Sequence, residues 1–473
     1  MLRRTKIIAT IGPASNEPEV LRALLVAGVD VLRLNFSHAS DDFPRLISTA
    51  RQIAEQLNQP LAIMADLQGP KIRIGRFKNK SITLMNGESF TLNCHDVNTL
   101  GDEKGVSVAY TNLDKEIKAG DHLLLDDGLL ELSVSAINSP LIECVVVEGG
   151  VLSDNKGINR KGGGLAARTL TEKDQRDMKT AVQYGVDYIT LSFVKDAEDI
   201  KNARQMLGEL GAHYLPIIAK IERTEAIDNL STIIAESDAV MVARGDLGVE
   251  VGAAEVPALQ KHIIGKARHL NKVVITATQM MESMISHPQP TRAEVSDVAN
   301  AILDGTDAVM LSAETASGKF PVKVITMVDK ICLSAEKHAA LFYKVEDNSC
   351  DYEHSNHAIA MGAMHIANHF PIHAIVALTE SGSTAVWMSR LPSAVPIYAI
   401  TDNASTVAQL SMVNNVFPFF FDYRHLGPQD INAQVLHYLL EKNFVEKETY
   451  VLITRGQLIG KAGGTNSMEI VKV

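Results

Sequence analysis

The run IIAKIE (217–222) sets Lys220 and Glu222 two residues apart in an otherwise apolar segment. Residues two apart on a strand share a face. The ammonium and the carboxylate therefore point the same way, from a stretch too apolar to carry them for solubility. A second acid, Asp246, closes the run SDAVMVARGD (237–246), directly after Arg244 and Gly245. Glu222 and Asp246 offer oxygen ligands suited to a hard divalent ion such as Mg²⁺ or Mn²⁺. Lys220 beside such an ion is placed to neutralise a phosphoryl group in transfer. Gly245 lets backbone N–H groups approach a carboxylate ligand. The plain alternative is a structural Lys220–Glu222 salt bridge at a strand end.

Other apolar runs end in the same kind of residue. GVDVLRLNFS (28–37) carries Arg33, Asn35 and Ser37, and MADLQGPKIRIG (64–75) carries Asp66, Lys71 and Arg73. NKVVITATQ (271–279) carries Thr276 and Thr278, and TDAVMLSAET (306–315) carries Ser312 and Glu314. Arg33 and Arg73 suit planar, bidentate contact with phosphate oxygens, or else pair with Asp30 or Asp66. Thr278 either orients a substrate and passes a proton, or is a strand residue satisfied by backbone. His38 reads as a loop or cap histidine on residues alone. Cations, carboxylates and hydroxyls together suit a phosphorylated, metal-bridged substrate.

Elements of one kind must hold these residues. Eight short apolar runs recur: 5–12, 28–37, 59–68, 185–193, 215–222, 237–246, 271–279 and 306–315. Helical periodicity fills most of the gaps. Residues 17–27 carry the stripe Val20, Leu21, Leu24 and Leu25, with Asn16 expected to cap the start and Gly28 the end. Near-continuous apolar strands alternating with amphipathic helices predict a parallel sheet covered by helices. Eight units predict a closed (β/α)8 TIM barrel, with the chemistry at the carboxyl ends of its strands. The alternative is an open doubly wound sheet.

Two further regions interrupt or follow this pattern. Residues 71–166 read as an inserted all-β lid domain, entered at Gly69-Pro70 and left through NRKGGGLAA, with turn signals Asn86-Gly87, Asp127-Gly128 and Gly149-Gly150. The barrel is thus expected in two parts, 1–70 and 167–344. Residues 345–473 read as a separate C-terminal three-layer α/β domain, built on AIVALTESG, PIYAITDN, VFPFFFD and YVLITRG.

A formal net charge of −11 argues against general binding to nucleic acid or an anionic membrane, though not against a local basic pocket. The four cysteines show neither metal-ligand nor redox spacing, so a reducing, cytoplasmic setting is expected. The start MLRRTKIIATIGPAS lacks an uninterrupted apolar core, so no signal peptide is expected.

The chain closely resembles the pyruvate kinase family. The matching motifs are TKIIATIGPAS (5–15), RLNFSH (33–38), DLQGPKIR (66–73), AKIE (219–222), MVARGDLGVE (241–250), ATQMMESM (277–284), PTRAEVSDVANAILDGTDAVMLSAETASG (290–318) and TESGSTA (379–385). The resemblance implies phosphoryl transfer from phosphoenolpyruvate to ADP and protonation of enolpyruvate to pyruvate. It implies that Lys220 stabilises the phosphoryl group and that Glu222 and Asp246 bind Mg²⁺ or Mn²⁺. Gly245, Asp246 and Thr278 then meet the substrate carboxylate. Arg33, Asn35, His38 and Arg73 attend nucleotide and phosphates, and Ser312 and Glu314 belong to a proton relay. The β domain becomes a lid over the nucleotide, and the assembly a homotetramer.

Asn35, Ser37, Asp66 and the Leu67 carbonyl match the family's monovalent-cation positions. Members that require K⁺ carry Glu where this chain has Lys71, Thr and Lys where it has Leu67 and Gln68, and Thr where it has Ile74. This set implies turnover without K⁺, the Lys71 ammonium standing in for the ion. The turn Thr379, Glu380, Ser381, Gly382, Ser383 and Thr384 is expected to cradle an effector phosphate, or else is an ordinary helix N-cap turn. Ile459 stands where relatives activated by fructose 1,6-bisphosphate carry Arg, and Lys461 is nearby. This favours a monophosphate such as ribose 5-phosphate or AMP. The rival readings are a metal-dependent lyase on the same barrel, which needs neither lid nor Lys220, and a non-catalytic sensor, which would lack Lys220, Glu222 or Asp246.

Overall fold

The computed structural model describes residues 2–38, 42–95, 99–165, 169–338, 354–423, 425–427, 430–456 and 463–473. Eight strands close into a barrel. They are β1 Lys6–Thr10, β2 Val31–Asn35, β3 Ala62–Asp66, β4 Tyr188–Leu191, β5 Ile217–Ile221, β6 Ala239–Ala243, β7 Val273–Ala277 and β8 Ala308–Leu311. Each neighbours the next in the chain, and β8 returns to β1 in parallel, with Lys6 opposite Ala308 and Ala9 opposite Leu311. Every one of the eight apolar runs supplies one strand. β6 and β7 are buried at all positions, as a strand with helices on one face and packed interior on the other must be.

The first helix, Pro18–Val26, buries Leu21, Leu24 and Leu25. Its start corrects the expectation. Glu17, not Asn16, holds the N-cap position, and no side chain caps it. Pro18 decides this boundary, because its ring presets the helical φ and it has no N–H to cap. Gly28 follows the helix at φ 111°, where an L side chain would be strained.

The chain divides into two compact units, residues 66–180 with 190–263, and residues 1–65 with 181–189 and 264–473. In the former, the segment between β3 and β4 folds into a six-stranded and a two-stranded sheet. Alternation decides which face is core: in Leu141–Glu148, Ile142, Cys144 and Val146 turn inward to Phe90, Leu92 and Leu132. Gly87 and Gly128 take left-handed φ at the expected turns.

In the latter unit, a five-stranded sheet follows the barrel: β9 Ile372–Leu378, β10 Ile397–Thr401, β11 Val416–Phe420, β12 Tyr450–Gly456 and β13 Thr465–Lys472, in the order β11-β10-β9-β12-β13. The antiparallel edge strand β13 was not among the four expected. Of its residues only Thr465 is buried, so it carries no apolar period to read. Helices Ser355–His369, Ser383–Ser389, Ala404–Leu410 and Ile431–Glu441 accompany the sheet. The elements after the barrel are tied to it by buried polar contacts. The Lys6 ammonium donates to the Val416 carbonyl at 2.7 Å, and Arg390 pairs with Asp307 at 2.7 Å. No helix among the described residues is long and apolar enough to cross a membrane.

Candidate active site

The end of β5 holds the densest charge. Lys220 Nζ lies 3.2 Å from Glu222 Oε2 and 3.9 Å from Asp66 Oδ1, and donates to Ser192 Oγ at 2.9 Å. The Lys220–Glu222 ion pair of the plain alternative reading is present, but Lys220 also reaches Asp66 and Ser192. Ser192, just past β4, donates in turn to the Leu67 carbonyl at 2.7 Å, and Glu222 Oε1 accepts from the Phe193 N–H at 2.7 Å. Asp246 lies in the first turn of the helix Arg244–Val251, beside Gly245. Its Oδ1 takes the Lys71 ammonium at 3.0 Å, and Asp127 Oδ1, from the inserted domain, stands 3.5 Å from the same ammonium.

These carboxylates are not equivalent. Burial pushes the Glu222 carboxyl up to about 7; the charges of Asp246 and Asp66 add to this, and Lys220 opposes it. Burial also works to raise Asp246, but Lys71, Lys220 and Arg73 outweigh it and hold this carboxyl below its ordinary value. For Lys71, burial favours the neutral amine, yet Asp246 and Asp127 prevail and raise its pKa. Its ammonium stays charged.

The cluster fits a divalent cation. Glu222 Oε2 is buried without a hydrogen-bond partner, and a buried oxygen in a carboxylate so disfavoured as an anion gains from a cation. Among the described residues no group of three or more His, Cys, Asp or Glu side chains forms a ready metal cage. Two carboxylates match what Mg²⁺ takes from a protein when substrate phosphates and water complete its shell.

The other strand ends are built as follows. Arg33, on β2, is 9% exposed and donates to Thr10 Oγ1 at 2.9 Å, and Thr10 Oγ1 donates to the Leu311 carbonyl at 2.8 Å. Asp30, the alternative partner of Arg33, pairs instead with Arg3 at 2.9 Å. Asn35 Oδ1 accepts from the Ser37 N–H at 3.1 Å. The His38 side chain lies outside the described residues. Arg73 donates to the Asn155 carbonyl at 2.8 Å.

After β7, Thr278 and Gln279 adopt φ of 65° and 53°. A β-branched residue at such an angle is an outlier of the kind that gathers at functional sites. Glu314, fully buried, accepts from the Ser312 N–H at 2.7 Å and the Met281 N–H at 3.0 Å. It thereby pins the ends of β7 and β8 together. Ser192 and Thr10 were missed from sequence. The rule that found the others, a polar residue ending an apolar run, applied equally to strands one and four.

At the effector turn, Gly382 has φ 78° and its N–H meets Thr379 Oγ1 at 2.9 Å. Thr384 is buried and bonded to Thr465, 2.8 Å between hydroxyls. Ser381 Oγ donates to Ser383 Oγ at 3.4 Å, and the Glu380 carbonyl accepts from Thr406 Oγ1 at 2.8 Å. Ile459 and Lys461 lie outside the described residues.

A closed β/α barrel with an ammonium and two carboxylates at the ends of neighbouring strands fits a barrel enzyme of phosphoryl transfer. Residues 2–325 match the family model "Pyruvate kinase, barrel domain", and residues 357–471 match "Pyruvate kinase, alpha/beta domain". The chain belongs to the pyruvate kinase family. It is 46% identical over 479 residues to "Pyruvate kinase" of Buchnera aphidicola subsp. Baizongia pistaciae, covering 100% of this chain and 99% of that one. It is 43% identical over 477 residues to "Pyruvate kinase II" of Salmonella typhimurium, with coverage of 100% and 99%. A crystal structure of a pyruvate kinase from Cryptosporidium parvum superposes with a TM-score of 0.92 at 33% identity, covering 99% of this chain and 96% of that one. The activity is the family's: the phosphoryl group of phosphoenolpyruvate passes to ADP, giving pyruvate and ATP in the last step of glycolysis.

Proposed function

We propose that the cluster at the end of β5 carries the phosphoryl transfer, with Lys220 as its central group. The supporting observation is the Lys220 ammonium 3.2 Å from Oε2 of a fully buried Glu222, an oxygen that makes no well-aligned hydrogen bond. A bridging P–O bond of phosphoenolpyruvate breaks as a β-phosphate oxygen of ADP bonds to phosphorus, and the enolate left behind takes a proton at carbon. Lys220 neutralises charge on the phosphoryl oxygens during this exchange. Arg33 and Arg73 hold phosphate oxygens, Asn35 and His38 join them at the nucleotide, and the backbone at Gly245 and Asp246 with the Thr278 hydroxyl orients the substrate carboxylate. Ser312 and Glu314 belong to the network that delivers the proton, with Glu314 fixing its geometry through backbone N–H groups. Glu222 and Asp246 are the residues that would hold Mg²⁺ or Mn²⁺. Such an ion supplies charge neutralisation and a template for phosphate oxygens.

In this reading Lys71 takes over the work of a monovalent ion at the positions of Asn35, Ser37, Asp66 and Leu67. Its raised pKa keeps the substitute charge in place. The β domain of residues 71–166 is a lid that excludes water from the transfer. The turn 379–384 binds a phosphorylated effector, a sugar monophosphate or AMP, together with Lys461. The assembly is a cytoplasmic homotetramer, as is usual in the family.

A coupled assay with phosphoenolpyruvate, ADP and Mg²⁺ tests the core of this reading, with tetramethylammonium as the only monovalent cation. Turnover is expected without K⁺ and without a lag. A large rate increase on replacing tetramethylammonium by K⁺ at constant ionic strength overturns the role given to Lys71. Retention of full activity in Lys220→Met overturns the role given to Lys220.

A further inference from the structure

The segment by which the chain leaves the inserted domain is gripped by side chains with no role in the reaction above. Its last strand, Ile158–Arg160, runs into Gly162, Gly163 and Gly164, at φ of 84°, 76° and 88°. Three successive residues in this region demand glycine. Glu225 Oε1 accepts from the Gly164 N–H at 2.7 Å, and the Glu250 carbonyl accepts from the Gly162 N–H at 3.4 Å. A Cβ on Gly163 would stand 3.1 Å from Glu225 Oε2 and 3.3 Å from Glu250 Oε2. Arg223 is 4% exposed; it donates to the Leu165 carbonyl at 2.7 Å and pairs with Glu225 at 2.9 Å. Glu250 Oε2 also accepts the Thr224 N–H at 3.0 Å.

The sequence positions of these groups matter. Arg223 and Glu225 follow Glu222 by one and three residues, and Glu250 lies one helical turn beyond Asp246 in the helix Arg244–Val251. The two segments that present the cation-binding carboxylates are thus the two that grip the exit glycines. A backbone shift at Glu222 or Asp246 would reach the seat of the hinge within one to four residues.

We propose that Arg223, Glu225 and Glu250 form the seat of the lid hinge, positioning residues that set how far the inserted domain closes when the cation site fills. The inference rests on the reading of residues 71–166 as a lid. It predicts which side chains fix the arc of that lid. An ill-seated hinge leaves the lid partly open and admits water. Water oxygen then competes with ADP for phosphorus, giving pyruvate and inorganic phosphate in place of pyruvate and ATP.

The test uses the full chain and two variants, Gly163→Ala and Glu225→Ala. Small-angle scattering with and without Mg²⁺ and ATP reads closure. Steady-state assays read KM for ADP against kcat, and phosphate release from phosphoenolpyruvate without ADP reads the leak. The wild type is expected to compact. Both variants are expected to compact less, to raise KM for ADP about tenfold with a smaller change in kcat, and to raise the phosphate leak. A defect in folding alone would lower the active fraction without moving KM or the leak. If Gly163→Ala does not fold, Glu225→Ala decides. Equal compaction and equal leak in wild type and variants overturn the seat and leave the lid standing. No compaction in the wild type, with turnover intact, overturns the lid reading and the seat with it.

Discussion

Two buried ion pairs in this molecule contrast sharply. Arg390 and Asp307, 7% and 0% exposed in their side chains, satisfy each other completely. Each Asp307 oxygen accepts a guanidinium N–H, at 2.7 and 3.0 Å, and also a backbone N–H, from Asn414 at 3.0 Å and Val274 at 2.9 Å. Lys220 and Glu222 are 13% and 0% exposed, yet Glu222 Oε2 meets the Lys220 ammonium at 3.2 Å without a well-aligned hydrogen bond, and the carboxyl is pushed up by burial and by the like charges of Asp246 and Asp66. Burying charge is tolerable when every lone pair is answered. The first pair meets that condition with protein groups. The second does not, and in the function proposed above a cation held with the substrate is the partner that completes it. Unfinished electrostatics at a strand end marks a site of chemistry, while finished electrostatics before a strand marks a joint.

The largest expected effect breaks the second pair without emptying its space. Glu222→Gln keeps the acceptor for the Phe193 N–H and removes a charge that like-charged neighbours oppose. It is expected to lower kcat by roughly 10³-fold while leaving the thermal midpoint unchanged or higher. A collapse in stability with little change in kcat would reassign the cluster to structure. Arg390→Met reverses the pattern. It strands a buried carboxylate, and the expected cost is about 3–5 kcal/mol in denaturant unfolding. Turnover of the remaining folded enzyme, assayed at low temperature with saturating substrate, should stay near wild type. A loss under 1 kcal/mol would mean that the backbone donors alone satisfy Asp307.

How much of this was legible beforehand depends on the kind of signal. All eight barrel strands announced themselves, because strands buried on both faces must be continuously apolar. The edge strand β13 did not, since Met468 and Ile470 are among its exposed residues and no apolar period remains. Lys220, Glu222 and Asp246 stood out because charge in an apolar run needs a reason. Ser192 is a small hydroxyl after an apolar run and looks like any strand end, although it positions both Lys220 and the Leu67 carbonyl. The Arg390–Asp307 pair was invisible, for its members lie 83 residues apart and Asp307 reads only as the polar lead of the run 306–315. Long-range satisfaction is a property of the fold, and only the demand for it is written locally.

Lys6 gives the finest test of the contrast, because it is a buried charge that belongs to neither type. The ammonium donates to the Val416 carbonyl and stands 4.6 Å over the Phe417 ring. It forms no ion pair among the described residues. Burial pushes it down to about 8, with Arg3 adding to the shift and Asp30, Glu336 and Asp307 opposing it. Between pH 8 and its ordinary 10.5, the unfolded chain binds a proton that the folded chain has released, so this residue's contribution to stability rises with pH across that window. A shift of this size corresponds to about 3 kcal/mol. Lys6→Met has no such titration. The stability of wild type minus that of the variant is therefore expected to grow by about 3 kcal/mol between pH 8 and pH 10.5, read from denaturant midpoints at matched ionic strength. Were the difference flat, one carbonyl and one aromatic ring would suffice to keep a buried ammonium charged. The line between finished and unfinished sites would then have to be drawn at a single acceptor rather than at a full complement.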